Sequence, residues 1–378
     1  MAKVLITGGA GFIGGHLCRR LIADGNEVRI LDTLSPQVHG MVPAGADWLR
    51  EFGIDFMRGS VTSRSDVELA LNDITQIVHL AAETGTGQSM YEISRYNEIN
   101  SQGTATLLDV LASNPSHRVE RIILASSRSV YGEGAYVCSS CNGGRKFPGA
   151  RTSAMLAAHK WEPSCPDCGH ELTVVATRED DLVRPASIYA ATKFAQEDLV
   201  RVASEALGIS YAILRFQNVY GEGQSLKNPY TGILSIFSNR IRRQLELSAF
   251  EDGKETRDFV HVYDIVMAIS RCLSISRPLN TVINVGSGMP TSVLDIATML
   301  SEALGEEPRV RITAEYRLGD IRHNFADISR LKHELGYSPE VTLSDGLRRF
   351  AEWVLTQPLQ EDLLEKANAE LRARKLMG

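Results

Sequence analysis

Over the first 130 residues, short apolar runs rich in β-branched side chains alternate with stretches whose apolar positions recur at helical spacing. The runs at 4–7, 27–31, 54–57, 76–80 and 121–126 predict strands, and the periodic stretches at 12–24, 64–71 and 91–111 predict helices between them. Parallel strands need a crossover to rejoin, and a helix supplies it, so this alternation predicts βαβ units in a doubly wound parallel α/β sheet. Helical spacing resumes at 187–207 and runs into a strand at 211–216. Beyond Val219 the pattern loosens into a Gly/Pro/Asn-rich loop, short helices and short strands, which predicts a smaller α/β lobe. The expected division is therefore 1–218 and 219–378. The last segment, 343–376, reads as helix interrupted at Pro358, with a solvated face rather than an interaction arm.

The first strand runs directly into Thr7-Gly8-Gly9-Ala10-Gly11-Phe12-Ile13-Gly14, where a helix opens. Glycines at 8, 11 and 14 allow a tight turn and let backbone N–H groups approach a pyrophosphate, which the helix N-terminus favours. A glycine triplet alone says little. This one sits between a strand and a helix, and Asp32 closes the second strand, where a carboxylate accepts from adenosine ribose hydroxyls. Thr33 rather than an arginine follows, and the carboxylate repels a 2′-phosphate, so the pattern predicts NAD rather than NADP on a Rossmann-type domain.

Lys+Arg number 40 against Asp+Glu 46, a net charge of −6, which excludes a chain-wide basic surface for nucleic acid or anionic membranes. No apolar run reaches the ~18 residues of a membrane span. The N-terminal apolar run meets glycine straight after Thr7, too soon for a secretory signal. A cytoplasmic location is expected, where thiols stay reduced. That changes the meaning of the cysteines. Cys18 and Cys272, among apolar helical neighbours, are expected core thiols, and the other four form two CxxC pairs.

Candidate chemistry follows the fifth strand. Ser126-Ser127-Arg128-Ser129-Val130-Tyr131-Gly132 lies at the C-terminal end of that strand, where α/β sheets gather their ligands. Farther on, Tyr189 and Lys193 are four residues apart in the helical stretch and share one face. A cation there is expected to lower the phenol pKa and make Tyr189 a general base, with the Ser127 hydroxyl on the same substrate oxygen.

Together these motifs closely resemble the extended short-chain dehydrogenase/reductase family, specifically its nucleotide-sugar epimerases. The resemblance also covers His79-Leu80-Ala81-Ala82, Asn100 with Gly103-Thr104, and Leu214-Arg215-Phe216-Gln217-Asn218-Val219-Tyr220-Gly221. It continues through Arg257-Asp258-Phe259-Val260-His261-Val262, Asn284-Val285-Gly286-Ser287-Gly288 and Arg317-Leu318-Gly319-Asp320. It implies catalysis by Ser127, Tyr189 and Lys193, with Lys193 also on the nicotinamide ribose. It implies a cofactor site of Gly8, Gly11, Phe12, Ile13, Gly14, Asp32, Ser60, Val61, Leu80, Ala81, Ala82, Tyr189 and Lys193. Substrate contacts fall to Thr86, Ser127, Tyr189, Asn218, Arg257 and Arg317, the last three on the diphosphate, a role that suits guanidinium forks. Ser60 departs from the pattern, since the family usually places an Asp there, near the adenine. His79 and His261 are expected to be structural. A homodimer through 91–111 and 187–207 is implied by analogy.

Between Tyr131 and Tyr189 lie 57 residues, more than the resemblance requires. The excess holds Cys138-Ser139-Ser140-Cys141 and Cys165-Pro166-Asp167-Cys168-Gly169-His170, with 23 residues between the pairs. Two such knuckles predict a closed zinc site of four cysteines in an inserted ribbon-like module at about 133–181. Five Lys/Arg against seven Asp/Glu in that stretch argue against a nucleic-acid ribbon. The module has few apolar residues of its own, so a metal is expected to offset its ordering entropy, and its place suggests a wall or lid for the sugar pocket.

The leading expectation is an NAD-dependent nucleotide-sugar 4-epimerase, with a 4-keto-sugar reductase second. A 4,6-dehydratase or decarboxylase fits poorly, because Arg128 and Ser129 stand where those relatives place acids. A non-enzymatic adaptor fits less, because the Ser/Tyr/Lys set is intact. Glu83-Thr84-Gly85-Thr86-Gly87-Gln88-Ser89-Met90, the loop at 228–232 and the cysteine insertion resemble dTDP-L-rhamnose 4-epimerases, with UDP-hexoses as the alternative substrates.

Overall fold

A computed structural model describes residues 2–39, 49, 52–141, 144–227 and 232–378. Residues 228–231, singled out above, lie outside the described ones. Seven strands form the central sheet: β1 (Lys3–Thr7), β2 (Glu27–Asp32), β3 (Asp55–Arg58), β4 (Gln76–His79), β5 (Arg121–Ser127), β6 (Ser210–Phe216) and β7 (Thr281–Val285). Their order is 3-2-1-4-5-6-7, and every neighbouring pair is parallel.

Both faces are covered, as a parallel sheet requires. Successive side chains point to opposite faces, so Val4 and Ile6 join one core and Leu5, between them, joins the other. The first core packs against Leu17 and Leu21 of α1 (Phe12–Ala23). The second packs against Leu107 and Leu111 of α2 (Gly103–Ser113) and Val200 of α3 (Ile188–Leu207). The chain winds outward in opposite directions from β1 and from β4. A crevice for ligands therefore opens at their C-terminal ends.

The chain crosses the expected boundary at 218 and returns. Helix α4 (Val262–Ser274) places Ile265 and Ile269 in the core beside α1, and β7 pairs with β6. A lone β7 sequence carries no sign of which sheet it joins, so the periodicity could not show the return. The second lobe is built around the strand Thr256–His261, which pairs with Asn218–Tyr220, Pro290–Ser292 and His323–Asn324. Its core includes Phe237, Ile241, Ile296, Leu300, Phe350 and Val354.

Two further expectations change. The helix at 91–111 is not uniform: after Ile93–Tyr96 it loosens into a π-helical turn, Asn97–Gln102, before α2. The final segment is not a solvated tail. After Leu343–Thr356 and a break that contains Pro358, the helix Leu364–Ala373 buries Leu364, Ala367, Asn368 and Leu371.

The insertion is a small module with a short antiparallel strand pair, Tyr136–Val137 against Thr173–Val174, and a short helix between them, Ser153–Ala157. Its core is Tyr136, Leu172, Cys138 and Cys165, with Cys141 and Val174 packed on it. Buried ion pairs tie it to the second lobe. Arg151, with its side chain 1% exposed, meets Glu133 at 3.1 Å and Glu251 at 2.7 Å. Arg322 of the lobe meets Glu162 of the module at 2.6 Å.

Candidate active site

The turn after β1 needs its glycines for space. Gly8 has φ +69°, and a Cβ there would lie 2.8 Å from the Ala81 backbone. At Gly14 a Cβ would lie 2.5 Å from the Gly9 carbonyl oxygen. Gly11 caps α1, and its N–H donates to Gly8 O at 3.2 Å. Phe12 and Ile13 open α1 and pack on the core. Leu80, Ala81 and Ala82 follow β4, and the Leu80 and Ala81 N–H groups donate to Thr7 O (3.1 Å) and Thr7 Oγ1 (3.3 Å). Asp32, 9% exposed, accepts from the Ala10 N–H at 3.1 Å and from the Leu34 N–H at 2.8 Å. A carboxylate therefore stands against a glycine cradle that any side chain would fill, which fits a dinucleotide. Ser60 and Val61 lie in the loop after β3. The Ser60 N–H donates to Asp66 Oδ2 at 2.9 Å, which fixes this loop against the helix that follows.

Ser127 ends β5 and caps a single 3-10 turn, Arg128–Tyr131, its Oγ accepting the Ser129 N–H at 3.2 Å. Tyr189 is on the first turn of α3, its ring edge-on to Tyr96 at 6.5 Å. Burial raises the Tyr189 pKa, while the hydrogen-bonded Ser127 hydroxyl and the Arg128 guanidinium pull it back. Lys193, expected to act on that phenol, lies one turn farther along α3. It donates to Ala125 O at 2.9 Å, and burial lowers its own pKa to about 7 against the opposing charge of Glu197. Arg128, passed over in the sequence as a binding group, is the cation facing the phenol. Burial lowers its pKa to about 10, and its Nε donates to Asn218 Oδ1 at 2.7 Å.

The π-helical turn positions α3. It places buried Asn100 so that Nδ2 donates to Thr192 Oγ1 at 3.0 Å and Oδ1 accepts the Glu83 N–H at 2.8 Å. His79 is locked between Thr7 Oγ1 (2.7 Å) and Thr104 Oγ1 (2.9 Å), and burial lowers its pKa to about 3, so it stays neutral. His261 caps α4 and its Nε2 lies 3.1 Å from Glu222. Burial pushes the thiols of Cys18 and Cys272 up to about 12.

A cavity of about 260 Å³ between the two parts of the chain is lined by Thr86, Arg128, Asn218, Arg257 and Arg317, with Phe237, Phe250, Glu255 and Asp320. Ser127, Tyr189 and Lys193 lie outside its lining, and Arg128 links the two groups. Arg257 is fixed by Asp320 Oδ1 (3.0 Å), Ile321 O (2.7 Å) and Arg322 O (2.9 Å). Burial would raise the Asp320 pKa, but Arg257, Arg317, Arg151 and Arg128 hold it below the usual carboxylate range. The Arg317 guanidinium lies 4.5 Å over the Phe250 ring, and its Nε is buried with no hydrogen-bond partner. A buried donor of this kind, beside other cations, suits an anionic ligand. Arg151 of the module reaches this wall too, donating to Asp320 O at 3.1 Å.

The four module thiols lie within 4.8 Å of one another, with Cys138 and Cys168 Sγ 3.5 Å apart and Cys141 and Cys165 Sγ 3.8 Å apart. Thiolates placed tetrahedrally on zinc at about 2.3 Å stand about 3.8 Å apart. The four sulfurs fit that ion.

The sequence profile of the NAD dependent epimerase/dehydratase family matches residues 4–156 and 165–286. The chain belongs to that family. It is similar to nucleotide-sugar epimerases along most of its length. A curated relative, dTDP-L-rhamnose 4-epimerase of Burkholderia thailandensis, is 38% identical over 93% of this chain and 94% of its own. The solved UDP-glucuronic acid 4-epimerase of Bacillus cereus, in complex with UDP-glucuronic acid and NAD, aligns with a TM-score of 0.74. It is 27% identical over 93% of this chain and 99% of that one. A UDP-N-acetylglucosamine 4-epimerase from Methanobrevibacter ruminantium, in complex with UDP-N-acetylmuramic acid, has a TM-score of 0.74 at 26% identity, covering 94% and 99%.

Proposed function

We propose that this family member is an NAD-dependent nucleotide-sugar 4-epimerase acting on dTDP-L-rhamnose. The observation that carries the reading is the meeting of the Tyr189 and Ser127 hydroxyls at the C-terminal end of β5, beside the glycine cradle and its Asp32. The 38% identity to a dTDP-L-rhamnose 4-epimerase supports the choice of substrate.

Tyr189 takes the proton from the C4 hydroxyl and returns it after the sugar has turned over. Ser127 holds the same oxygen in both states, and Arg128 favours the phenolate form. NAD, held by Gly8, Gly11, Phe12, Ile13, Gly14, Asp32, Ser60, Val61, Leu80, Ala81, Ala82, Tyr189 and Lys193, supplies a reversible hydride acceptor and ends unchanged. Asn218, Arg257 and Arg317 bind the diphosphate, and Thr86 lines the same pocket. Cys138, Cys141, Cys165 and Cys168 hold one structural zinc, and four thiolates leave it no open position for chemistry. Through Arg151 and Asp320 the module acts as a fixed wall rather than a lid. A reducing cytoplasm suits this thiolate site, and a homodimer through residues 91–111 and 187–207 fits the exposed Val202 on α3.

The test is to incubate the protein with dTDP-L-rhamnose without added NADH and follow the sugar by NMR. The expected result is its C4 epimer. Oxidation of added NADH by a 4-keto sugar, one for one, with no epimer formed from the 4-hydroxy sugar, would hand the case to a reductase.

A further inference from the structure

Residues 364–378 cross the cavity and are fastened on both sides. Leu364, Ala367, Leu371 and Leu376 line it. Towards the second lobe, the Leu318 N–H donates to Leu376 O at 2.9 Å and Arg372 pairs with Glu315 at 2.6 Å. Towards the sheet, Tyr91 donates to Glu370 at 3.2 Å and Arg374 lies 4.1 Å over the Tyr91 ring. Between these anchors Asn368, only 1% exposed, accepts from Arg317 Nη2 at 2.8 Å.

A guanidinium presents five donors in one plane. Phe250 holds the group from one side, its ring centroid 4.5 Å from Cζ. That contact has no direction of its own, and the bond to Asn368 supplies one. The buried Nε is then left without a partner in the protein.

We propose that Asn368 is a positioning residue for Arg317, turning the guanidinium so that its remaining donors meet the diphosphate of the nucleotide sugar. This rests on the reading of Arg317 given above. The helix Leu364–Ala373 is then part of the binding site, since it carries the acceptor that orients a ligand-binding group.

The experiment is a double-mutant cycle on NAD-loaded protein, with Asn368→Ala, Arg317→Ala and the pair. Thymidine diphosphate binding is read by calorimetry, alongside KM and kcat. Asn368→Ala is expected to weaken thymidine diphosphate about tenfold and to raise KM more than it lowers kcat. Arg317→Ala should weaken it about a hundredfold. The pair should bind within about twofold of Arg317→Ala alone, because nothing remains for Asn368 to turn. Losses that add overturn the positioning role and leave Arg317 on the diphosphate. An Arg317→Ala protein that binds normally overturns both. Asn368→Leu guards against a folding artefact: it keeps the volume but offers no acceptor, so binding should fall while cooperative thermal melting is retained. Unchanged binding in Asn368→Leu would also overturn the proposal.

Discussion

Substituting Asp32 tests the cofactor site most directly. Its two carboxylate oxygens hold the Ala10 and Leu34 N–H groups, and the side chain is almost fully buried. Asp32→Ala would strand both amides at about 1–3 kcal/mol each. That is a large part of a domain stability of about 5–15 kcal/mol, so binding and folding would be confounded. Asp32→Asn keeps the shape and one oxygen, and strands at most one amide. On the ligand side, a ribose hydroxyl donating to a carboxylate contributes about 1.5–3 kcal/mol, so NAD should weaken about ten- to a hundredfold. A 2′-phosphate about 4 Å from the carboxylate is repelled by about 4 kcal/mol at an effective dielectric of 20, nearer a thousandfold. Repulsion is the larger effect, so Asp32→Asn should shift selectivity towards NADP by more than it loses NAD. Calorimetric titration of cofactor-stripped protein with each dinucleotide gives the ratio, and thermal melting confirms the fold. Equal NAD and NADP affinity in the unsubstituted protein, or an unchanged ratio in Asp32→Asn, would refute the reasoning.

Tyr189→Phe should lower kcat by about 10²–10⁴, the usual worth of a positioned acid–base group; near-full activity would remove Tyr189 from the mechanism. Elemental analysis should find one zinc per chain in the unsubstituted protein and none in Cys141→Ser, whose substrate KM should rise before its NAD affinity changes. Zinc-free protein after anaerobic purification would remove the metal. Burial pushes the Glu255 carboxyl up to about 7, so it is neutral below that pH and ionised above it. Its negative charge then enters the cavity that holds Arg257, so KM should rise from pH 6 to 8 and Glu255→Gln should flatten the rise. A variant with the same slope would exclude Glu255 as the cause.

What could be read from the chain in advance followed how local the cause was. The central strands β1, β4, β5 and β6 announce themselves because burial on both faces favours short apolar runs, and Gly8 and Gly14 because a Cβ would strike backbone a few residues or one strand away. The cysteine module was legible because ligand spacing is a short-range constraint. Strand β7 was not, since joining the sheet depends on β6, some 65 residues earlier in sequence. The π-helical turn at Asn97–Gln102 leaves little trace in apolar spacing, although Asn100 belongs to a motif of the family. Arg128 adjoined a predicted catalytic serine, and that adjacency was the available signal. The role of residues 364–378 was hidden for a different reason. Their contacts with Tyr91, Glu315 and Arg317 span the whole fold, and a short amphipathic helix looks the same whether it faces water or a ligand pocket.

The ion pairs at the root of the insertion bear on how such a segment can be gained, lost or exchanged. Arg151 and Glu162 belong to it, but the groups they neutralise, Glu251 and Arg322, belong to the host lobe. Removing one member of a buried pair costs about 3–5 kcal/mol, because the other charge stays behind without its solvent. A shortened chain lacking the insertion would leave Arg322 paired with Glu251 and Asp252, so the lobe keeps partners of its own. Grafting the segment onto a relative without those lobe residues would instead leave Glu162 without Arg322 and Arg151 with Glu133 alone. Insertion and lobe thus form one electrostatic unit, and a chimera that respects the loop ends but not these charges should be destabilised at the seam.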